Sequence, residues 1–290
     1  MSAYIKLKKI FNDASLSSDI AGILHWDMST MMPVDSRSQR AEQLAYLSKL
    51  GHDKIASNEV RDLILQAKNE KLNQNDLSNL REMEREHKLS FSVPSDLIQQ
   101  ISKTSAKCEG EWQEARKKSD FKLVKKSLDE LINLTKEEAN VLGEVFKSSS
   151  YEALVNKFEP GSNINLIANV FDDLENYLKP LIDTIIEKQK FENILPIHNK
   201  INEEQQKKIA EYIMKIIGFD FNRGRLDKSV HPFCGGSTND VRITTRYNEE
   251  NPFSSLDGVM HETGHALYEL NLPEKWNHQP VGKSRGMVMH

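Results

Sequence analysis

Cysteine is nearly absent from this chain, with two in 290 residues, Cys108 and Cys234. Two thiols so far apart in sequence exclude a disulfide scaffold and read as unpaired thiols in a reducing compartment. Glycine and proline are scarce, at 13 and 9. That leaves little turn material and favours long helices over many short strands. No stretch approaches about 18 consecutive apolar residues, so no segment reads as membrane-spanning. Met1 to Ala14 contains no apolar core of signal-peptide length. An excess of positive charge is missing as well. A net charge of −4 gives no electrostatic case for nucleic acid, and the run Lys6-Leu7-Lys8-Lys9 reads as a solvated helix face. These absences together describe a cytoplasmic protein with neither membrane nor nucleic-acid partners.

What is present is helical periodicity. Ala3 to Trp26 places Ile5, Ile10, Leu16, Ile20, Ile23 and Leu24 at helix-compatible spacing, and Met28 to Pro33 breaks the run. Further helical runs cover 39–55, 60–68, 77–89, 95–117, 121–146, 164–190 and 203–217. Ser95-Asp96, after Pro94, reads as a cap. A coiled coil is the rival reading of the N-terminal half. The a/d spacing is not sustained, and Pro33, Pro94 and Pro160 interrupt it, so a packed bundle fits better. There is no internal repeat and no low-complexity linker. The chain reads as a single unit over 1–290, with N-terminal helices to 160 and a second portion from 161.

Asp240 to Tyr247 differs from the rest. Val241, Ile243, Thr245 and Tyr247 alternate with Arg242, Thr244 and Arg246, a period of two rich in β-branched residues. The expectation is a strand, either an edge strand able to pair with a substrate backbone or a hairpin strand with a basic solvated face.

The chemistry lies in His261-Glu262-Thr263-Gly264-His265, which spells H-E-x-x-H. On a helix, residues i and i+4 are neighbours, with Cβ atoms roughly 5–6 Å apart. Two imidazoles so placed can each give one nitrogen to a single small cation. Glu262, turned by about 100°, can stand beside that cation and accept a proton from water. Asn251-Pro252 and Ser254-Ser255 form a turn-prone entry. Leu256, Val259, Met260 and Leu267 follow at helical spacing, and Asn271-Leu272-Pro273 ends the run.

Three motifs in order extend the pattern: His231-Pro232-Phe233, Asp240-Val241-Arg242-Ile243-Thr244, and the H-E-x-x-H sequence. Their order and spacing resemble the M32 metallocarboxypeptidases, the thermostable carboxypeptidase Taq group. Leu24-His25-Trp26-Asp27, Arg40-Ala41-Glu42-Gln43-Leu44, Glu159-Pro160-Gly161 and Gly224-Arg225-Leu226-Asp227 fit as well, so the resemblance covers essentially the whole chain. It implies a mainly α-helical bundle with a deep groove, similar to neurolysin and angiotensin-converting enzyme. It also implies one divalent metal per subunit, usually zinc and sometimes cobalt, removal of C-terminal residues from peptides, and a homodimer at full length. In the family, the third metal ligand is the glutamate of a His-Glu-Ser motif. His290 matches its histidine, and the expectation is a chain truncated before that glutamate.

For the complete enzyme, His261 and His265 are the expected metal ligands and Glu262 the general base. Arg242 is a candidate for the substrate carboxylate, oriented by Asp240. Thr244 is a structural or peptide-backbone contact, and His231 an oxyanion stabiliser or a loop brace. Two other readings stand beside this one. One is an inactive fragment or one that works with a separately encoded C-terminal piece. The other is a zinc oligopeptidase cutting internal bonds.

Overall fold

Short polar side chains set where many of the helices begin. Ser2, Ser57, Asn73, Ser149, Asn163 and Asn202 each accept a hydrogen bond from a backbone N–H in the turn that follows. Each satisfies a donor that the helix geometry leaves open. The computed structural model describes residues 1–193, 200–284 and 286. In chain order the helices are α1 (Ala3–Thr30), α2 (Arg37–Ile55), α3 (Asn58–Ala67), α4 (Gln74–Ser92), α5 (Ser95–Lys118), α6 (Lys122–Phe146), α7 (Ser150–Phe158), α8 (Ile164–Gln189) and α9 (Glu203–Ile216). Strands β1 (Gly224–Lys228), β2 (Phe233–Ser237) and β3 (Asp240–Thr245) follow, and then α10 (Pro252–Leu270). The fold is mainly α with one small sheet, as the sequence indicates.

Helix α1 is the spine. Its first half buries Tyr4, Leu7 and Phe11 against Val60, Ile64 and Met83 of α3 and α4. Its second half meets α2 through Met28, Ala41 and Leu44, with Ala106 of α5 alongside. The segment after α10 returns to this spine. Gln279 Nε2 donates to the Lys8 carbonyl, and Asn79 Nδ2 donates to Gln279 Oε1, both at 3.1 Å. Asn79 is fully buried, and a buried amide needs this kind of pairing.

The sheet has the order β1-β3-β2, with β1 parallel and β2 antiparallel to β3. Strand β3 is therefore the middle strand. This overturns the edge-strand expectation: both its hydrogen-bonding sides are taken, so it cannot accept a substrate strand. The same arrangement supplies the hairpin partner that a lone strand needs. β1 and β2, with sequences GRLDK and FCGGS, carry no hydrophobic alternation and were not expected as strands.

Other local expectations also change. Helix α1 runs through Met28 to Thr30 instead of breaking there; Pro33 falls beyond its last residue, where its missing N–H and its restriction on Met32 leave the helix intact. Ser95 does not cap α5. Pro94 occupies that position with no side-chain cap, and the Ser95 hydroxyl bonds to Asp53 instead. Helix α7 was not anticipated. It is nine residues long and starts with a capping box between Ser149 and Glu152.

Candidate metal centre on helix α10

Helix α10 is held by its apolar side. Val259, Ala266 and Leu270 pack with Val241, Ile243 and Leu226 of the sheet and with Ala210 and Met214 of α9. Polar ties fix its entry. The Thr245 hydroxyl donates to the Ser255 carbonyl at 3.2 Å, and Ser255 and Gln206 side chains bond at 2.6 Å. Gly258 faces Pro232 and Thr245, where an added Cβ would make ordinary contact at 3.4–3.7 Å. At about 100° per residue, fixing Val259 and Ala266 inward turns residues 261, 265 and 268 outward.

His261 and His265 accordingly lie on the open face. Their Nε2 atoms are 3.0 Å apart, and their rings stand nearly perpendicular, at 88°. Two nitrogens bound to one tetrahedral zinc at about 2.0–2.1 Å are themselves about 3.3 Å apart. The pair therefore fits one small cation with minor adjustment. Among the described residues no group of three or more His, Cys, Asp or Glu gathers to hold a metal. His290, matched by resemblance to the third-ligand motif, lies outside the described residues.

Glu262 occupies the edge between the two faces of the helix and is 8% exposed. Its charge reaches Cys234 on β2. Burial pushes the Cys234 thiol up to about 12, and the carboxylates of Glu262 and Glu269 add to that. Cys234, partly buried against the core between α10 and the sheet, is thus held toward its neutral thiol form.

The residues Asp240, Arg242 and Thr244 do not join the histidine pair. Alternate residues of a strand point to opposite faces. Val241 and Ile243 face α10, so 240, 242 and 244 face α1. Arg242 Cζ lies 4.2 Å from the Trp26 ring centroid, and Asp240 accepts from its Nε and Nη2 at 3.0 and 2.6 Å. Arg225, the register partner of Arg242 on β1, stacks on the same indole at 4.9 Å and pairs with Asp227. Thr244 is fully buried. Its Oγ1 accepts from the Phe233 N–H at 3.0 Å and bonds to the Ser229 hydroxyl at 2.7 Å. Those bonds brace the loop that carries His231, whose carbonyl also accepts from Ser229 at 2.6 Å. The exposed His231 ring meets Trp112 of α5 edge-on at 6.5 Å.

Sequence reasoning did not single out Trp26, Gly22 or Glu109 as site-shaping residues. Gly22 of α1 rests on β2, where a Cβ would fall 2.1 Å from the Gly236 carbonyl oxygen. Glu109 of α5 pairs with His25 at 2.9 Å, and His25 in turn meets Phe233 edge-on. The one available signal was indirect. Leu24-His25-Trp26-Asp27 fits the family's pattern, but nothing in that tetrapeptide says what it faces.

The family model described as carboxypeptidase Taq (M32) metallopeptidase matches residues 6–290. The chain belongs to the M32 family. The thermostable carboxypeptidase 1 of Thermus thermophilus is 30% identical over 301 residues, covering 100% of this chain and 59% of the relative. That of Pyrococcus furiosus is 32% identical over 272 residues, covering 92% and 54%. Among solved structures, the Trypanosoma cruzi metallocarboxypeptidase 1 matches with a TM-score of 0.87 at 34% identity, over 99% of this chain and 58% of that one. The Pyrococcus furiosus carboxypeptidase matches at 0.83 and 30% identity, over 98% and 57%. This M32 chain thus spans a little over half the length of the relatives it matches. No described helix is long and apolar enough to cross a membrane.

Proposed function

We propose that this chain supplies the metal-holding helix and the general base of a carboxypeptidase that releases C-terminal residues from peptides. The convergence of the His261 and His265 Nε2 atoms at 3.0 Å, in a chain of a metallopeptidase family, carries the reading. Those two imidazoles would hold one divalent cation, with zinc favoured by nitrogen donors in tetrahedral geometry and cobalt a close substitute. When bound, the cation supplies Lewis acidity toward water and the scissile carbonyl. Glu262 accepts the proton of the attacking water at a carboxylate oxygen and passes it to the leaving amine. Its place at the edge between the sheet-facing and open sides of α10, 8% exposed, sets it beside the histidine pair.

We assign Arg242 to a clamp rather than to the substrate. Its charge is already matched by Asp240 at 2.6 Å, and its guanidinium sits over the Trp26 ring. Thr244 braces the 229–233 segment, and His231 contributes to the same brace through its carbonyl.

Zinc titration by calorimetry, with peptide hydrolysis measured alongside, tests the proposal. His261→Ala and His265→Ala should each weaken zinc binding at least ~100-fold. Glu262→Gln should keep the metal and lose hydrolysis by about 10²–10⁴. A peptide amidated at its C-terminus should resist release. Unchanged zinc affinity in both histidine variants would sink the metal assignment, and activity surviving Glu262→Gln would sink the base. The coverage of little more than half of the relatives favours a second reading, in which the chain holds metal but needs further polypeptide for turnover. Zinc binding without release of any residue would select it.

A further inference from the structure

A cavity of about 400 Å³ lies between α1, α2, α4 and α5, with His278, Pro280 and Lys283 completing its wall. One polar atom in that wall stands out. The His52 side chain is 8% exposed, and its Nε2 is buried with no hydrogen-bond partner among the described residues. Its Nδ1 lies 3.4 Å from Asp53 Oδ1. Asp53 is exposed and is not part of the cavity wall, so the far edge of the ring, with Nε2, points inward. A carboxylate beside Nδ1 holds the proton there, and Nε2 of the neutral ring then presents a lone pair to the cavity. Leaving such an atom unpaired is costly, and native structures keep few of them.

The rest of the wall defines the partner. Ser17 and Ser18 of α1 direct their hydroxyl protons to the Asp13 and Ala14 carbonyls, at 3.2 and 3.4 Å, so their oxygens are left as acceptors. Glu86 of α4 adds a carboxylate. These acceptors and the His52 lone pair suit a donor-rich head such as an ammonium group. Ser48, Ser90 and Ser102 supply hydroxyls that turn to suit either kind of partner. The cation is Lys283, half exposed, with Nζ 2.9 and 3.2 Å from the two Glu86 oxygens. Leu44, Leu47 and Ile98 add apolar surface. Water alone could pair with His52 Nε2 but gains nothing from that surface. A cavity of this volume, with apolar walls and a few placed polar groups, has the form of a small-molecule site.

We infer that the cavity beneath His52 binds a free amino acid with an apolar side chain. Its ammonium group donates to His52 Nε2 and Glu86, its carboxylate pairs with Lys283, and its side chain lies against Leu44, Leu47 and Ile98. The site is separate from the histidine pair on α10. The choice of ligand rests on the proposed function, since a free amino acid is what that reaction releases, and the site would let the product act back on the protein that forms it.

The test is calorimetric titration of the metal-free 290-residue chain with L-leucine. L-leucinamide, which lacks the carboxylate, and N-acetyl-L-leucine, which lacks the ammonium group, should each bind at least ~10-fold more weakly. His52→Phe should weaken leucine binding at least ~10-fold, and so should Lys283→Met. The half-exposed Lys283 can be replaced without disturbing the core, so its variant decides the matter if His52→Phe fails to fold. His261→Ala combined with His265→Ala should leave leucine binding unchanged. Absence of leucine binding overturns the inference and leaves a cavity that holds water only. Glycerol binding as tightly as leucine overturns it too, because the site would then read hydroxyls and not a zwitterion. Loss of leucine binding in the double histidine variant overturns it by placing the ligand at α10. Binding is read here without hydrolysis, so a failure of the proposed function shows separately, in the peptide assay.

Discussion

The Arg242 guanidinium sits over the indole of Trp26, with Cζ 4.2 Å from the ring centroid, and the contact joins α1 to the middle strand of the sheet. Arg225 approaches the same ring at 4.9 Å. Trp26 itself is buried, and its Nε1–H finds no acceptor among the described residues. Two consequences can be measured. Trp26→Ala removes the ring and should cost about 3–5 kcal/mol of stability. Trp26→Phe keeps a stacking surface and removes the unpaired donor, so its cost should stay within about 1 kcal/mol. Urea denaturation midpoints of the two variants distinguish this from simple volume loss. If Phe costs nearly as much as Ala, the stacked guanidiniums contribute little.

The contact between α1 and β2 is tighter still. A methyl group at Gly22 would sit 2.1 Å from the Gly236 carbonyl oxygen, and backbone cannot yield as a flexible side chain can. Gly236 has a second constraint, a φ of +102°, in the region that favours glycine. Gly22→Ala should therefore destabilise by about 1–3 kcal/mol through overpacking, despite alanine's better helix propensity. Thermal unfolding of this variant beside Gly264→Ala, where a Cβ meets nothing within 4 Å, provides the contrast. Gly264→Ala should be neutral or slightly stabilising.

These two contacts show what a sequence can and cannot reveal. The long helices are legible because apolar periodicity and caps are local properties, and most helical runs match to within a few residues. The α10 site is legible for the same reason, since i and i+4 on one helix fix the distance between His261 and His265 without any tertiary information. The faces of β3 are not. Alternation separates Val241 and Ile243 from Asp240, Arg242 and Thr244, but it does not say which face meets the histidine helix. The chemistry of Arg242 suggests substrate, and the packing sets it over Trp26, where we propose a clamp. β1 and β2 were hidden because charge and glycine mask short strands whose only reason to be extended is β3 between them. Gly22 and Gly236 lie far apart in sequence, and neither signals that it touches the other.

Cys234 tests the electrostatics around Glu262. Burial, and then the Glu262 and Glu269 carboxylates, push its thiol up to about 12. Cys108 is also free, and it is buried. Near pH 8 the native protein should then react with an iodoacetamide probe at Cys234 at least ~10³-fold more slowly than an unperturbed thiol. Mass spectrometry after timed labelling measures this. Unfolding in urea should restore ordinary reactivity at both cysteines. Rapid native labelling at Cys234 would mean that the thiol is neither dry nor close to those carboxylates.

His25 and Glu109 give the fold a pH dependence whose sign can be worked out. The Glu109 hydrogen bond raises the His25 pKa above 6.5, against the opposing effect of burial. Burial alone would raise Glu109, but the hydrogen bond and charge of His25, with the Ser29 hydroxyl, leave it below 4.5. A raised histidine stabilises below its unfolded pKa and loses that contribution as pH rises through the folded value. A depressed carboxylate stabilises above its unfolded pKa and loses that contribution as pH falls through the folded value. The pair therefore contributes most between about pH 4.5 and 6.5, where both unfolded-state conditions hold. His25 is about half exposed, so solvent screening keeps the effect modest. Glu109→Gln preserves size and a hydrogen-bonding oxygen but removes the charge. Its stability deficit relative to the unsubstituted chain should peak in that window and shrink as pH rises through the raised folded-state pKa of His25. Urea midpoints at half-unit pH steps measure the curve. A deficit that stays flat or grows toward high pH would show that Glu109 acts through packing and not through an ion pair with His25.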